Sequence, residues 1–469
     1  MPWENITGMP TYTSDGWIDA NGNAITVPET LDHVAINAFM VLSGNTRTNN
    51  VLTVNSLGLT ENGSLTIKDG AQLIANKVVG EVTVEKNISG YQQSESKWYT
   101  IASPLKGETS TGSVTGLITP SSDYDLYRYD EPTFTWENYK YEQNDFTTLE
   151  SGRGYLYANA EDVTLEFTGA VNTDDVTYSL TTDGSKLTGF HLIGNPFTHD
   201  ITFNYLSADV DLAYGYYVLD GDGAWGAVLG NNTEDVIKVG QAALIKTTDA
   251  GELRISKSQS RSQQSMANSQ QFLNITVSNA NYSDKAFVVF DKGVGLDKIN
   301  HENENIPLLY IPQDGTDYAI AMMDENVNEI PVNFEAKTMG QYTISLQQEN
   351  CEFEELYLLD KETGNKVNIL EESYTFMAKS NDNPERFVLL KANSQQQTAN
   401  SDFAHISGSD LIIKAEGAVQ IIDMMGRVVY SIDVTSDSSR INVSGFDNAA
   451  YIVRVVNEEG VKVQKVIVY

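Results

Sequence analysis

The 469-residue chain has one cysteine, 11 prolines and five histidines, and its 30 basic residues face 64 acidic ones. Each scarcity excludes something. A lone Cys351 rules out a disulfide framework within the chain, and its Glu349-Asn350-Cys351-Glu352 setting raises a thiol pKa and blunts nucleophilicity. A net charge of -34 repels nucleic-acid backbones and anionic membrane surfaces, while favouring solubility and leaving room for divalent cations. No apolar run reaches bilayer length, so no transmembrane segment is expected. The start, Met1-Pro2-Trp3-Glu4, has neither a basic nor an apolar stretch, so a signal peptide is expected to be absent from this form.

Catalytic signatures are also missing. There is no Gly-x-Ser-x-Gly elbow, no His-Glu-x-x-His and no phosphate-binding Gly-x-x-x-x-Gly-Lys-Ser/Thr, and a non-catalytic protein is expected. His33, His191, His199, His301 and His405 are scattered. Only His191 and His199 are neighbours, flanking Gly194-Asn195-Pro196, and a metal there would need a third ligand that the sequence does not identify. Surface or loop histidines with ordinary partners account for them more simply.

What remains is strand-forming sequence. The chain has 24 tyrosines, many Val/Ile/Thr-rich runs and no long amphipathic helix, which predicts an all-β, multi-domain fold. Residues 1–90 carry short alternating pairs, such as Leu52-x-Val54, Leu65-x-Ile67 and Val82-x-Val84, with Asn62-Gly63 and Asp69-Gly70 as turns. That pattern predicts a short β-solenoid-like cap, with a plain meander as the alternative.

Residues 91–257 read as a duplicated β-sandwich module. Trp98-Tyr99-Thr100-Ile101-Ala102-Ser103-Pro104-Leu105 matches Phe190-His191-Leu192-Ile193-Gly194-Asn195-Pro196-Phe197, and Gly152-Arg153-Gly154-Tyr155-Leu156 matches Gly240-Gln241-Ala242-Ala243-Leu244. Four such landmarks recur at a spacing of about 90 residues. The Ser/Gln-rich stretch from Ser256 to Gln271 and the run Asn393–Thr398 read as linkers. Between them, residues 272–392 predict an immunoglobulin-like or jelly-roll β-sandwich of seven or so strands. Residues 402–469 predict a last small sandwich.

Two constellations are candidate sites. Tyr124, Tyr127, Tyr129, Phe134, Trp136, Tyr139 and Tyr141 crowd the first repeat. Tyr127 and Tyr129 share a face of a strand, and with Trp136 and Trp225 they could stack on sugar rings. The same stripe suits the inward face of a sandwich, and aromatic character kept at Tyr214, Tyr216 and Tyr217 favours core packing. Asp220-Gly221-Asp222-Gly223 could wrap calcium through Asp220 and Asp222, but Asp-Gly is also common hairpin chemistry, and no further cofactor is implied.

The last stretch carries a family resemblance. Val419-Gln420-Ile421-Ile422-Asp423-Met424-Met425-Gly426-Arg427-Val428-Val429-Tyr430 is followed by Tyr451-Ile452-Val453-Arg454-Val455-Val456 and the closing Lys465-Val466-Ile467-Val468-Tyr469. This order of strand, Asp-x-x-Gly-Arg turn, Tyr-Ile-Val-x-Val strand and basic-apolar tail resembles the type A C-terminal sorting domain of the type IX secretion system. Where such domains usually have Gly before the Tyr-Ile-Val strand, this chain has Asn448-Ala449-Ala450. The Trp98 and Phe190 landmarks, and the sandwich after them, resemble segments preceding that domain in secreted Bacteroidetes surface proteins. The resemblance implies export to the outer surface or beyond, with the export machinery as a partner. The sequence then predicts a structural or adhesive surface protein whose partners are a host or matrix protein or a glycan. The alternatives are a glycan-binding module or the non-catalytic part of a carbohydrate-active enzyme.

Overall fold

The computed structural model describes residues 11–13, 16–18, 31–36, 39–42, 51–61, 63–91, 97–120, 123–220, 223–230, 235–258, 270–391, 403–407, 409–424, 426–434, 439–457 and 460–468. Strands and short 3-10 turns are the only regular elements among them, so the chain is all-β. It divides into two compact units, Met1–Glu352 with Leu358–Leu389, and Phe353–Tyr357 with Leu390–Tyr469.

The first unit starts with two stacks of parallel strands. Leu31–Ile36, Val51–Leu59 and Gln72–Val79 pair in parallel as one stack. Phe39–Leu42, Ser64–Ile67 and Val82–Ile88 form the other. Alternation aims Leu52, Val54, Leu57, Leu65, Ile67, Leu73, Val82 and Val84 into one core. At Asp69-Gly70 the chain turns on a glycine with φ +83°, closed by Ala71 N–H donating to Lys68 O. Val82–Ile88 is also matched residue for residue by the antiparallel strand Val163–Gly169, so the second stack and that strand share one sheet.

Two four-stranded sheets with the same order follow. The first runs Thr135–Asn138, Tyr124–Asp130, Gly154–Asn159, Tyr99–Ala102, and the second Trp225–Val228, Tyr216–Leu219, Ala242–Lys246, Phe190–Gly194. The Pro landmarks have a local cause: Leu105 N–H donates to Ser103 Oγ, and Phe197 N–H to Asn195 Oδ1, each turning the chain out of its sheet.

Matching positions also meet. Gly194 N–H donates to Gly152 O at 2.9 Å, and Ala102 N–H donates to Gly240 O at 3.2 Å. Residues Ala102 and Gly194 abut, as do Gly154 and Ala242, so closely that a Cβ on Gly194 would lie 2.5 Å from that of Ala102. Replacing Gly194 by Val forces these sheets apart. It is expected to cost about 1–3 kcal/mol or more, read by urea unfolding; an unchanged midpoint would disprove the close approach.

Residues 270–391 build on an eleven-stranded sheet in which Phe272–Ser278 alternates between half-buried and buried positions. The sequence reading counted fewer strands. The eleven include the two-residue strand Leu296–Asp297, the three-residue Lys366–Asn368, and Glu329–Glu335, which runs on through Pro331. Phe334, Tyr342, Phe376 and Phe387 supply the aromatic packing. In the second unit, Ala404–Ser407, Asp410–Ile413 and Ser439–Asn442 form a three-stranded sheet. Val428–Val434, Gly417–Asp423, Ala450–Asn457 and Gly460–Ile467 form a four-stranded one.

Candidate binding surfaces and the sorting domain

The aromatic candidates divide by burial. Tyr129 and Trp225 are buried, at 5% and 2% exposure, within a cluster that includes Leu156, Phe190, Leu219 and Phe287. Trp225 is further occupied: its indole N–H donates to Glu302 and its backbone N–H to His301. Tyr127 and Trp136 are half-buried against the same cluster, with Trp98 and Phe134 beside them. The rings meet edge-on or tilted, Trp98 with Tyr127 at 5.8 Å and Tyr129 with Trp136 at 5.0 Å. Tyr127 and Tyr129 do share a face, while Tyr124 and Leu126 face the cap's core, so Tyr124–Asp130 is packed on both sides. Burial pushes the Tyr129 phenol well above its ordinary pKa, with Glu131 and Asp130 adding to the rise.

Asp220 closes a hairpin turn. Its Oδ1 accepts the Ala224 N–H at 2.8 Å, its own N–H donates to Ala224 O, and Gly223 N–H donates to Asp220 O. Asp222 lies outside the described residues. Among the described residues no three His, Cys, Asp or Glu side chains converge as metal ligands.

His191 and His199 are both buried; His191 lies in the strand Phe190–Gly194 and not at the surface or in a loop, while His199 lies in a loop, as the sequence allowed. The His191 ring bonds the Thr181 backbone through Nε2, and the His199 ring stacks on Phe197 and donates from Nδ1 to Asp200 O. Burial lowers both pKa values.

An open cleft of about 520 Å³ lies where the parallel strands Ser283–Phe290 and Thr316–Met323 end. Asp291, Asp324 and Glu325 surround Phe290 and Met322 there, with Lys292 the one cation of the lining.

Sequence reasoning missed three buried charged groups because their partners are remote in the chain. Glu131 accepts from Thr181 Oγ1 and from the backbone N–H groups of Asp183, Gly184 and Gly189. Arg386 forks onto Asp360, its Nε donating to Oδ1 at 2.9 Å and the other nitrogen to Oδ2 at 2.7 Å. Asp284 lies against Lys298 and His301.

The second unit's distinctive geometry is its Asp-x-x-Gly-Arg turn. Gly426, at φ +82°, lets the chain reverse, and its N–H donates to Asp423 O. The Asp423 carboxylate accepts both the backbone N–H and the guanidinium Nε of Arg427, so one side chain closes the loop from both ends. Met425, within it, lies outside the described residues. Val419, Ile421, Val453 and Val455 point inward at 0–1% exposure. Tyr451 packs on Phe446 and donates its hydroxyl hydrogen to Asp447 O, four residues before it. The strand it belongs to begins at Ala450, so Asn448-Ala449 serve where a Gly is usual.

Residues 400–469 match the secretion system C-terminal sorting domain. The chain carries a type IX sorting domain. No curated protein matches the chain. The sorting domain implies a protein exported to the cell surface or outside, and an interaction with the export machinery. Among the described residues no helix is long and apolar enough to cross a membrane, which says nothing of β-barrels. One strand of the sorting domain, Val428–Val434, keeps Val428, Val429, Tyr430 and Ile432 exposed at the sheet edge.

Proposed function

We propose that this exported protein has a structural or adhesive role at the cell surface and carries no catalytic centre. The parallel stacks of residues 31–88 are read as short solenoid turns, and the two matched sheets as a duplicated unit packed about a pseudo-two-fold axis. Sharing of Val82–Ile88 with Val163–Gly169 makes cap and duplicated module one continuous β scaffold, and this is the observation that carries the reading. A scaffold of that kind suits a display or load-bearing role, and residues 272–392 would serve as a stalk. Its partner class is a host or matrix protein.

A glycan-binding module is the second reading, or else the non-catalytic part of a carbohydrate-active enzyme. Four half-buried rings favour it: Trp98, Tyr127, Phe134 and Trp136 sit together at the margin of one cluster, which also contains Met322 of the acidic cleft.

A glycan-array and matrix-protein screen of the full chain separates these readings. Matrix-protein binding without a glycan signal supports the adhesive role. Glycan binding that is lost in Trp136→Ala and Tyr127→Ala replaces it by the second reading.

Calcium at Asp220 and Asp222 is not part of this account, because Asp220 already serves the turn. Chelator is expected to leave the melting temperature unchanged; a calcium-dependent rise of several degrees would make the loop a metal site.

A further inference from the structure

The most unusual chemistry in the chain lies under Trp225. Asp284 sits in the strand Ser283–Phe290, and Lys298 follows the strand Leu296–Asp297. The two side chains are 2% and 4% exposed, and Lys298 Nζ lies 2.5 Å from Asp284 Oδ2. Oδ2 also accepts the backbone N–H of Leu309 at 2.7 Å. On the other side of the carboxylate, His301 Nε2 lies 3.4 Å from Oδ1, with its ring 2% exposed. His301 Nδ1 accepts the Trp225 N–H at 3.0 Å, so the ring proton belongs on Nε2, on the Asp284 side. That buried nitrogen has no hydrogen-bond partner among the described residues.

An ammonium and a carboxylate held this deep carry a heavy desolvation cost, which their attraction only partly offsets. Burial brings the Lys298 pKa down, against the pull of Asp284, which makes the free amine more accessible. Condensing the two groups into an amide would abolish both charges. The surroundings suit that reaction, since the ammonium already bonds the oxygen that would leave and an imidazole N–H faces the one that would be retained.

We propose that Lys298 and Asp284 become joined by an isopeptide bond formed within the folded chain. The Lys298 ammonium passes one proton to Oδ2, which it already contacts, and the free amine attacks Cγ. Oδ1 takes up the negative charge facing the His301 Nε2–H and becomes the amide oxygen. A second proton moves from nitrogen to Oδ2, which leaves as water beside the Leu309 N–H. One C–N bond forms, one C–O bond breaks, and nothing is oxidised or reduced. The link ties the strand Ser283–Phe290 to the segment after Leu296–Asp297, in a chain whose single cysteine cannot supply an internal disulfide.

Intact-mass measurement of the purified full chain tests this directly. The wild type is expected to be lighter than its sequence by one water, and digestion to release a branched peptide joining Asp284 to Lys298. Lys298→Arg is expected to restore the full sequence mass. A wild-type chain at full sequence mass would overturn the proposal without reference to any variant. So would a water loss that persists in Lys298→Arg or that maps to other residues.

Discussion

Arg386→Met is expected to destabilise the first unit by about 3–5 kcal/mol, because it leaves the Asp360 carboxylate buried without its partner. Asp360 is 1% exposed and also accepts the Tyr374 hydroxyl. The guanidinium lies over the Phe376 and Phe387 rings, at 4.7 and 5.2 Å from their centroids, and donates to Met377 O. A lysine could keep the charge but neither the fork nor the stacking, so Arg386→Lys is expected to restore only part of the loss. Replacing both partners by apolar residues of similar size should recover most of it, since the pair's own desolvation cost then disappears. Urea unfolding of the single and double variants measures this; additive losses would show that the two groups are not coupled.

The same pair gives a pH dependence of definite sign. Burial pushes the Asp360 pKa up, but Arg386, Tyr374 and neighbouring donors outweigh it and hold the group at about 2. The folded value lies below the unfolded one, so the contribution is fully present above roughly pH 4 and fades as the pH falls towards 2. In Arg386→Met this acid-dependent part should shrink. An acid limb identical to that of the wild type would contradict the assignment.

Glu131→Gln is expected to cost about 2–4 kcal/mol, as four donors converge on a carboxylate that is 2% exposed. Oε1 accepts from the Gly184 and Gly189 N–H groups, and Oε2 from Thr181 Oγ1 and the Asp183 N–H. A glutamine amide group would set its own N–H bonds against one of these donor pairs. Burial raises the Glu131 pKa, but the bonds from Gly189, Thr181, Gly184 and Asp183 win and leave it lowered. Its stabilisation is therefore present above the unfolded carboxylate value and lost as the pH falls through the lower folded one. The residues it fastens, 181–189, lead from the strand Val176–Leu180 into Phe190–Gly194 of the second matched sheet. Limited proteolysis of Glu131→Gln should cut first in that connection, and wild-type resistance there would contradict the role.

Strands were legible where one face is buried and the other wet. Phe272–Ser278 alternates as its sequence does, and so does the inward run Val419, Ile421, Val453, Val455 of the sorting domain. Legibility fell where strands are covered on both faces. Gly154–Asn159 and Phe190–Gly194 are buried at every position, so alternation could not report how many layers lie above and below them. The turn chemistry of Asp423, Gly426 and Arg427 is local, so it could be read directly, and with it the sorting domain.

Glu131, Asp284 and Asp360 could not be read. Their main partners lie 50, 14 and 26 residues away, and nothing local distinguishes them among 64 acids. The aromatic stripe shows the opposite case. Tyr127, Tyr129 and Trp136 announced themselves, but only the packing of neighbouring sheets decides which rings are covered, and that packing is set by residues such as Leu156 and Phe190.

The central claim is that residues 400–469 direct the chain out of the cell. The direct measurement places a signal peptide before the full chain, with and without those residues, in a bacterium that has the type IX machinery, and follows both by surface proteolysis and cell fractionation. The account predicts that the full chain reaches the outer surface or the medium, while the shortened chain accumulates in the periplasm. Equal surface delivery of both forms would contradict it.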